Sequence, residues 1–202
     1  GLYHQTYKYP TEVMVSHTYY TQHTEEFYDF YKNKMIFLDA KPNKAHLKLA
    51  EMEQAGKLSA IVTQNIDGLH QAAGSKNVFE LHGSVHRNYC QKCGKFFDVN
   101  YVVNAKGVPY CDECGGIIKP DVVLYEEGLD SQTINGAVRA ISKADMLIIG
   151  GTSLVVYPAA GMIDYFKGKY LAVLNRDATS RDKQADLCIT DPIGEVLGRI
   201  RV

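Results

Sequence analysis

The sequence predicts an α/β protein in which a doubly wound parallel sheet carries an inserted metal-binding module. Five short aliphatic or β-branched runs follow residue 57, and continuous runs of this kind are typical of strands covered on both faces in parallel sheets. Helix-like stretches lie between several of the runs, as in doubly wound folds. Cysteines, glycines and short turns interrupt this alternation over residues 86–119.

Composition and charge exclude several classes of protein. The 202 residues are enough for one core, or for one domain with a smaller satellite, and 46% hydrophobic with 22% charged residues is ordinary for a globular protein. Because 22 Lys and Arg almost balance 23 Asp and Glu, we expect no direct nucleic-acid binding and no attraction to an anionic membrane.

No apolar stretch is long enough for a membrane helix. The longest, residues 146–163, is interrupted by Gly150, Gly151 and Pro158 and lacks the roughly 20 apolar residues that a bilayer requires. The first twenty residues have no cationic segment followed by an apolar one, so no secretory signal is expected and the predicted location is cytoplasmic.

The N-terminal region is predicted to be helical. Aromatic residues and one methionine recur at helical spacings in residues 1–40, so one or two amphipathic helices are expected, with the stripe forming core rather than a cofactor site. The recurring residues are Tyr20, Phe27, Phe30, Tyr31 and Met35. A further helix is expected from Asn43 to about Ala55, where Gly56 ends it.

The five predicted strands alternate with two further helices. The strands are residues 60–63, 78–81, 146–149, 170–174 and 187–189, and the helices are 131–143 and 158–167. Cys188 lies inside the last strand, where a cysteine is most simply a small buried hydrophobic residue.

Two Cys-x-x-Cys pairs predict a structural zinc site. Residues 94–110 separate the pairs, and four thiolates match tetrahedral zinc. Gly94 and Gly115, directly after the pairs, allow the tight turns that such knuckles need. The ligands are Cys90, Cys93, Cys111 and Cys114. Two disulfides or a redox dithiol are the alternatives, disfavoured by the missing export signal and by the presence of a second pair.

Polar residues follow four of the predicted strands. These strand ends are residues 64–67, 82–84, 150–153 and 175–176. Ligands of open α/β sheets bind outside the carboxyl ends of the strands, so the pattern indicates a ligand rich in hydroxyls and phosphates. Taken alone, the Gly-Gly-Thr-Ser of residues 150–153 fits either a nucleotide site or a plain turn, because the Gly-x-Gly-x-x-Gly fingerprint is missing. From its position, His82 is a candidate general base, although a lone histidine is more often surface or core.

Several motifs in order resemble the sirtuins, which are NAD-dependent protein deacylases. They are TQNIDGLH, ELHGS, the two Cys-x-x-Cys pairs, KPDVVLYEE, GTSLVVYPAA, LNR and ADLCI. The resemblance implies a Rossmann-like NAD-binding domain, residues 41–85 and 120–202. It also implies a small domain formed by a helical part, residues 1–40, and the zinc module, residues 86–119.

By matched motif, the resemblance assigns site residues. His82 is implied as the general base that removes a ribose hydroxyl proton, after the acetyl-lysine oxygen has displaced nicotinamide from C1′. The implied NAD contacts are Gln64, Asn65, Asp67, Gly151, Thr152, Ser153, Asn175, Arg176, Cys188 and Ile189. An extended substrate peptide is implied to pair with Val122, Val123, Leu124 and Tyr125 on one side and with Leu154, Val155, Val156 and Tyr157 on the other.

The resemblance implies a protein-lysine deacetylase that transfers the acetyl group to ADP-ribose and contains structural zinc. A protein ADP-ribosyltransferase on the same scaffold is the alternative, and a non-enzymatic zinc-ribbon module is a third. Because no arginine precedes Arg87, the Tyr-x-x-Arg that pairs with acidic acyl groups is missing, and short uncharged acyl groups are expected.

The sequence departs from the family pattern at two places. The family's opening strand and glycine-rich loop are expected immediately before Gly1, so the residues as written are expected to bind NAD poorly. The usual Phe-Gly-Glu is replaced here by Tyr125-Glu126-Glu127, which affects the expected geometry of the peptide clamp.

Overall fold

The computed structural model describes residues 9–202 of the chain. Residues 1–8, the start of the predicted N-terminal helical region, lie outside the described part, as does the expectation about what precedes Gly1. The described residues belong to two compact units. Unit 1 contains the chain up to Ala40, Asn65–Gly68 and His82–Leu129, and unit 2 contains Lys41–Gln64, Leu69–Leu81 and Asp130–Val202.

Helices and strands alternate along much of the chain. The α-helices are α1 (Thr11–Met14), α2 (His17–Gln22), α3 (Thr24–Lys34), α4 (Lys44–Gln54), α5 (Leu69–Ala72), α6 (Val99–Asn104), α7 (Ser131–Lys143) and α8 (Ile193–Gly198). The strands are β1 (Ile61–Thr63), β2 (Val78–Glu80), β3 (Gly83–Cys90), β4 (Phe96–Phe97), β5 (Ile118–Val122), β6 (Met146–Gly150), β7 (Tyr170–Leu174) and β8 (Leu187–Ile189). Two 3-10 helices span Ala159–Tyr165 and Asp182–Gln184.

The helices α1 to α3 form the helical part of unit 1. Ser16 caps α2 by accepting a hydrogen bond from the Tyr19 N–H, and acidic residues in the first turn of α3 complement its dipole. Phe27 and Tyr31 are completely buried, which confirms that the aromatic stripe is core. The described residues form three short helices here, where one or two were expected.

Unit 1 also contains an antiparallel sheet with the strand order β4-β3-β5. Tyr89 of β3 pairs with Phe96 of β4 on one side and with Lys119 of β5 on the other. The buried face of this sheet and the aromatic helices share one hydrophobic core, which includes Cys90 and Cys111.

Unit 2 contains the parallel strands, and all five predicted strands form. β1 pairs with β2, and β6, β7 and β8 form a second parallel sheet in that order. The predicted α/β class is therefore confirmed. Helix α4 is capped by Asn43, whose side chain accepts from the Ala45 and His46 N–H groups. Its end precedes Gly56, at φ +70°, as predicted.

Two details of unit 2 differ from expectation. The predicted helix over 158–167 is a 3-10 helix. The expectation that Cys188 is buried is wrong, because its side chain is exposed. Within the described sheet β8 pairs only with β7, and Leu187 is exposed beside Cys188.

No helix within residues 9–202 is both long and apolar enough to cross a membrane.

Candidate functional site

Two candidate site segments begin where β1 and β2 end. Thr63 and Glu80 are register partners in this parallel pair, and the Leu81 N–H donates to the Thr63 carbonyl at 2.9 Å. Asn65 and His82 each follow two residues later, and both belong to unit 1. The predicted convergence of polar strand ends thus has a structural basis for these two segments.

The loop Asn65–Gly68 is held by β3. The Val85 N–H donates to the Ile66 carbonyl at 3.0 Å, and His86 Nε2 lies 3.0 Å from the Asp67 carbonyl oxygen. Gly68 has φ +69°, and a Cβ there would lie 2.7 Å from His86 Cδ2. His86 was not predicted from the sequence, because its partner Asp67 lies 19 residues earlier in the chain.

His82 is half-buried at the start of β3. Its carbonyl oxygen accepts from the Val123 N–H at 3.0 Å, which ties it to the predicted peptide segment 122–125. Gly83 follows at φ +74°, and a Cβ there would overlap the Asp121 carbonyl oxygen. Only glycine therefore lets the chain turn from His82 into β3 at this distance from β5.

Backbone hydrogen bonds fix most of segment 122–125. Val122 pairs with Gly83 in the sheet, and the Tyr125 N–H donates to Val15 while the Tyr125 carbonyl accepts from the His17 N–H at 2.9 Å. The Leu124 carbonyl accepts from the Glu127 N–H at 3.0 Å. Among the described residues, no backbone N–H donates to the carbonyl oxygen of Val123.

Glu127, Lys119 and His17 lie together at the end of this segment. Glu127 Oε2 accepts from the Leu124 N–H at 2.9 Å and from Lys119 Nζ at 3.0 Å, and Glu127 Oε1 lies 2.9 Å from His17 Nδ1. Burial opposes ionisation of Glu127, but these hydrogen bonds outweigh it and lower the pKa of its carboxyl. Only one signal in the sequence pointed to this cluster, the departure from Phe-Gly-Glu.

Of the predicted NAD contacts in unit 2, Gln64 directly follows β1, and the others lie at the carboxyl ends of β6, β7 and β8. Gly150 pairs with Leu174, and Leu174 pairs with Ile189, so the three strands end side by side. The Gly151 N–H donates to the Leu174 carbonyl at 3.2 Å, and the Asn175 N–H donates to the Ile189 carbonyl at 3.0 Å.

These strand ends form a polar and largely exposed rim. The side chains of Ser153, Arg176 and Cys188 are exposed, while those of Thr152 and Asn175 are half-buried. Gly151 has φ +61°, and the space that a Cβ would occupy is open. Hydroxyl, amide and guanidinium groups around an open glycine turn fit the ribose and phosphate groups of a dinucleotide.

The second predicted peptide segment, residues 154–157, follows this rim. Leu154 is buried at φ +54°, a left-handed conformation that is uncommon for a branched side chain. Val155 and Tyr157 are 70% and 72% exposed. In this segment, Leu154 is therefore packed in the interior, while Val155 and Tyr157 expose their side chains to solvent.

The four predicted zinc ligands form one cluster in unit 1. The Sγ atoms are 3.3 Å apart for Cys90 and Cys114 and 3.7 Å apart for Cys93 and Cys111, and all four lie within 4.8 Å of one another. Tetrahedral zinc with Zn–S bonds of about 2.3 Å places its sulfurs roughly 3.8 Å apart. The cluster therefore fits one zinc ion.

The glycines around the cysteines support this assignment. Gly94 and Gly115 have φ of +74° and +68°, as expected for the turns after each pair. A Cβ on Gly116 would lie 2.8 Å from Cys90 Sγ, so a glycine is also needed beside the sulfurs. Because all four ligands are cysteines, the site has no open position for a substrate and is structural.

Comparison with known proteins gives consistent matches. The model of the Sir2 family matches residues 1–158. An NAD-dependent protein deacetylase of Clostridium acetobutylicum is 64% identical over 200 residues, which is 98% of this chain and 82% of that protein.

Solved structures agree with this relationship. A Sir2 structure with a p53 peptide and NAD+ is 38% identical with a TM-score of 0.86, covering 96% of this chain and 83% of that one. A Sir2 complex with an inhibitor, 2′-O-acetyl-ADP-ribose and deacetylated p53 peptide is 40% identical with a TM-score of 0.85, covering 92% of this chain and 82% of that one.

Proposed function

Because the chain belongs to the Sir2 family, the sirtuins, we propose that it is an NAD-dependent protein-lysine deacetylase with structural zinc. The observation that carries this proposal is the arrangement of unit 1. There, β3 holds the loop Asn65–Gly68 through Val85, and the peptide bond of His82 is hydrogen-bonded to Val123. A candidate base, a ribose-binding loop and a peptide-binding segment are therefore joined by two direct backbone contacts.

NAD, when bound, supplies C1′ of the nicotinamide ribose as an electrophile, nicotinamide as a leaving group and ADP-ribose as the acetyl acceptor. The residues of this chain that would bind it are Gln64, Asn65, Asp67, Gly151, Thr152, Ser153, Asn175, Arg176, Cys188 and Ile189. The polar rim of β6, β7 and β8 supports this assignment for the unit 2 residues from Gly151 to Ile189. For Cys188 and Ile189, the support is their pairing with β7 and the hydrogen bond from the Asn175 N–H to the Ile189 carbonyl.

His82 acts as the general base. Its imidazole accepts a proton from a ribose hydroxyl, and a well-positioned base of this kind contributes about 10² to 10⁴ in rate. The ring is half-buried, and its backbone is fixed by Val123 and by the Gly83 turn, so the base is held in place before the substrate binds.

The substrate is an acetylated lysine in an extended peptide. The carbonyl oxygen of Val123 is positioned to accept a hydrogen bond from the substrate, and the N–H of the same residue contacts His82. Residues 122–125 and 154–157 contact the peptide mainly through the backbone, so sequence selectivity is loose. Short uncharged acyl groups are preferred.

Units 1 and 2 correspond broadly to the small domain and the NAD-binding domain. We assign residues 1–40 and 86–119 to the small domain, and 41–85 and 120–202 to the NAD-binding domain. Unit 1 additionally contains Asn65–Gly68, residues 82–85 and residues 120–129, which include the proposed catalytic and first peptide-binding residues.

The proposed location is the cytoplasm. All five cysteines are free thiols, and four of them form the metal cluster. A four-thiolate site of this kind is favoured in a reducing compartment, since an oxidising one would promote disulfides instead.

One assay tests the function. The full-length protein is incubated with an acetyl-lysine peptide and NAD labelled in the adenosine part. Formation of labelled acetyl-ADP-ribose with release of nicotinamide supports deacetylation. Labelled protein without deacetylated peptide would indicate ADP-ribosyl transfer, and no nicotinamide release would contradict both reactions.

A further inference from the structure

Glu126 adopts a backbone conformation that favours glycine. Its φ is +76°, in the left-handed region, and among residues 9–202 the only other non-glycine residue there is Leu154. A glutamate has no local reason to adopt this conformation, because its Cβ makes the left-handed region unfavourable. A compensating interaction of the side chain is therefore expected.

The carboxylate of Glu126 supplies that interaction. Its Oε2 accepts hydrogen bonds from both the backbone N–H and the hydroxyl of Thr18, at 2.8 and 2.7 Å. Hydrogen bonding to the Thr18 hydroxyl and N–H lowers the pKa of Glu126, so at neutral pH the carboxylate is charged and accepts both hydrogen bonds. Thr18 belongs to the first turn of α2.

These two bonds complete the attachment of segment 122–125 to the N-terminal helices. Tyr125 is already bridged to this region, because its N–H donates to Val15 and its carbonyl accepts from His17. Glu127, which follows Glu126, contacts the side chain of His17 through its carboxylate. Three consecutive residues, 125–127, thus bind the start of α2, and Val123 lies two residues before them.

We propose that Glu126 is a positioning residue for the acetylated peptide, because its contact with Thr18 fixes the end of segment 122–125 and with it the Val123 carbonyl that accepts from the substrate. The inference rests on the proposed deacetylase function and adds to it a determinant of peptide affinity. The contact between Glu126 and Thr18 involves no proposed NAD-binding residue, so we expect it to affect the affinity for the peptide and not the affinity for NAD.

Steady-state kinetics of Glu126→Ala, Glu126→Gln and Glu12→Gln tests the proposal. Glu126→Ala is expected to raise KM for the acetylated peptide about threefold to tenfold, since it removes two exposed charge-assisted hydrogen bonds. Values of kcat and of KM for NAD are expected to stay within about twofold, because lost uniform binding leaves kcat unchanged. Glu126→Gln is expected to restore most of the peptide affinity, because its amide oxygen still accepts from Thr18.

Glu12→Gln is the matched control. It removes one exposed carboxylate from the same surface groove, which Glu12, Tyr125 and Glu126 help to line, without touching the Thr18 contact. Its peptide KM is expected to equal that of the wild type. An equal rise in Glu12→Gln, or none in Glu126→Ala, would overturn the proposal.

Hydrogen exchange separates this proposal from the function on which it rests. In Glu126→Ala, the amides of Thr18 and of residues 124–127 are expected to exchange faster, and in Glu126→Gln they are expected to remain close to the wild type. Unchanged exchange in Glu126→Ala contradicts the positioning role even in an active enzyme. A wild-type protein that releases no nicotinamide contradicts the function, whatever the exchange result.

Discussion

His82 and its neighbour Gly83 show how one backbone turn can fix a base. The chain can pass from His82 into β3 only because residue 83 has no side chain, and the same turn brings the His82 carbonyl to the Val123 N–H. The imidazole is therefore attached to a backbone position with little freedom, which favours the role of general base proposed for it.

Replacement of His82 by Ala is expected to reduce turnover by about 10² to 10⁴, because it removes the general base. The four zinc ligands are untouched, so the zinc content stays the same. Acetyl-ADP-ribose formation and metal analysis on the same preparation check both statements. Deacetylation at the wild-type rate would rule out His82 as the base.

His86 is expected to contribute to NAD binding through Asp67. Replacement by Ala removes the contact between His86 Nε2 and the Asp67 carbonyl, and a lost hydrogen bond of about 0.5–1.5 kcal/mol corresponds to a rise of about twofold to tenfold in KM for NAD. His86→Gln, whose amide N–H can donate to the same oxygen, should recover part of the loss. The idea fails if KM rises for the peptide and not for NAD.

Single residues also mark the limit of sequence reasoning. The left-handed glycines at 94 and 115 followed from their positions after each Cys-x-x-Cys pair, because local geometry requires them. The exposure of Cys188 did not follow, since an apolar run has the same pattern at the edge of a sheet as in its centre. His86, Glu126 and Glu127 were missed because their partners are distant in the chain.

At the scale of elements, helix caps and strand positions followed from local signals. Helices α4 and α7 and all five parallel strands lie close to their predicted positions, because Asn43, Gly56 and the β-branched runs act locally. The order in which the strands pair could not be predicted in the same way. Which strand neighbours which depends on long-range contacts, and the antiparallel sheet β4-β3-β5 had no periodic signal that could separate it from turns.

The connection between the peptide segment and α2 is expected to weaken in acid. The pKa of Glu127 is lowered below its ordinary value of 4.5 by the native contacts, so its stabilising effect is complete above that value and is lost as pH falls through the native pKa. The difference in unfolding free energy between the wild type and Glu127→Gln should therefore shrink as the pH is lowered past this range. Denaturant titrations at several pH values measure it.

The same titrations on Glu12→Gln give a control. Within residues 9–202 no hydrogen bond joins Glu12 to the segment, so this variant should follow the wild type at every pH. A Glu127→Gln variant whose deficit is constant with pH would show that the carboxylate acts through packing and not through its charge.

At the scale of the whole molecule, the zinc cluster and the proposed base share one strand. β3 begins at Gly83, directly after His82, and ends at the zinc ligand Cys90. Cys90 and Cys111 also belong to the core that contains the aromatic helices. A closed four-cysteine site that takes no part in the chemistry can therefore still determine whether the base and the peptide segment are ordered.

Removal of zinc is expected to abolish turnover by unfolding this part of unit 1. Without the ion, the four cysteines no longer form the metal–ligand bonds that drive the folding of such modules. The buried cysteine side chains then have no metal partner. Hydrogen exchange after chelation should become fast in residues 83–119. The sheet β6-β7-β8, which contains no zinc ligand, should change least.

Cys188→Ser serves as the control, because it alters a cysteine outside the cluster and should retain one zinc per chain. A zinc-free protein that keeps slow exchange over residues 83–90 would show that β3 is ordered by its core contacts alone, and the coupling between the metal and the base would then be wrong.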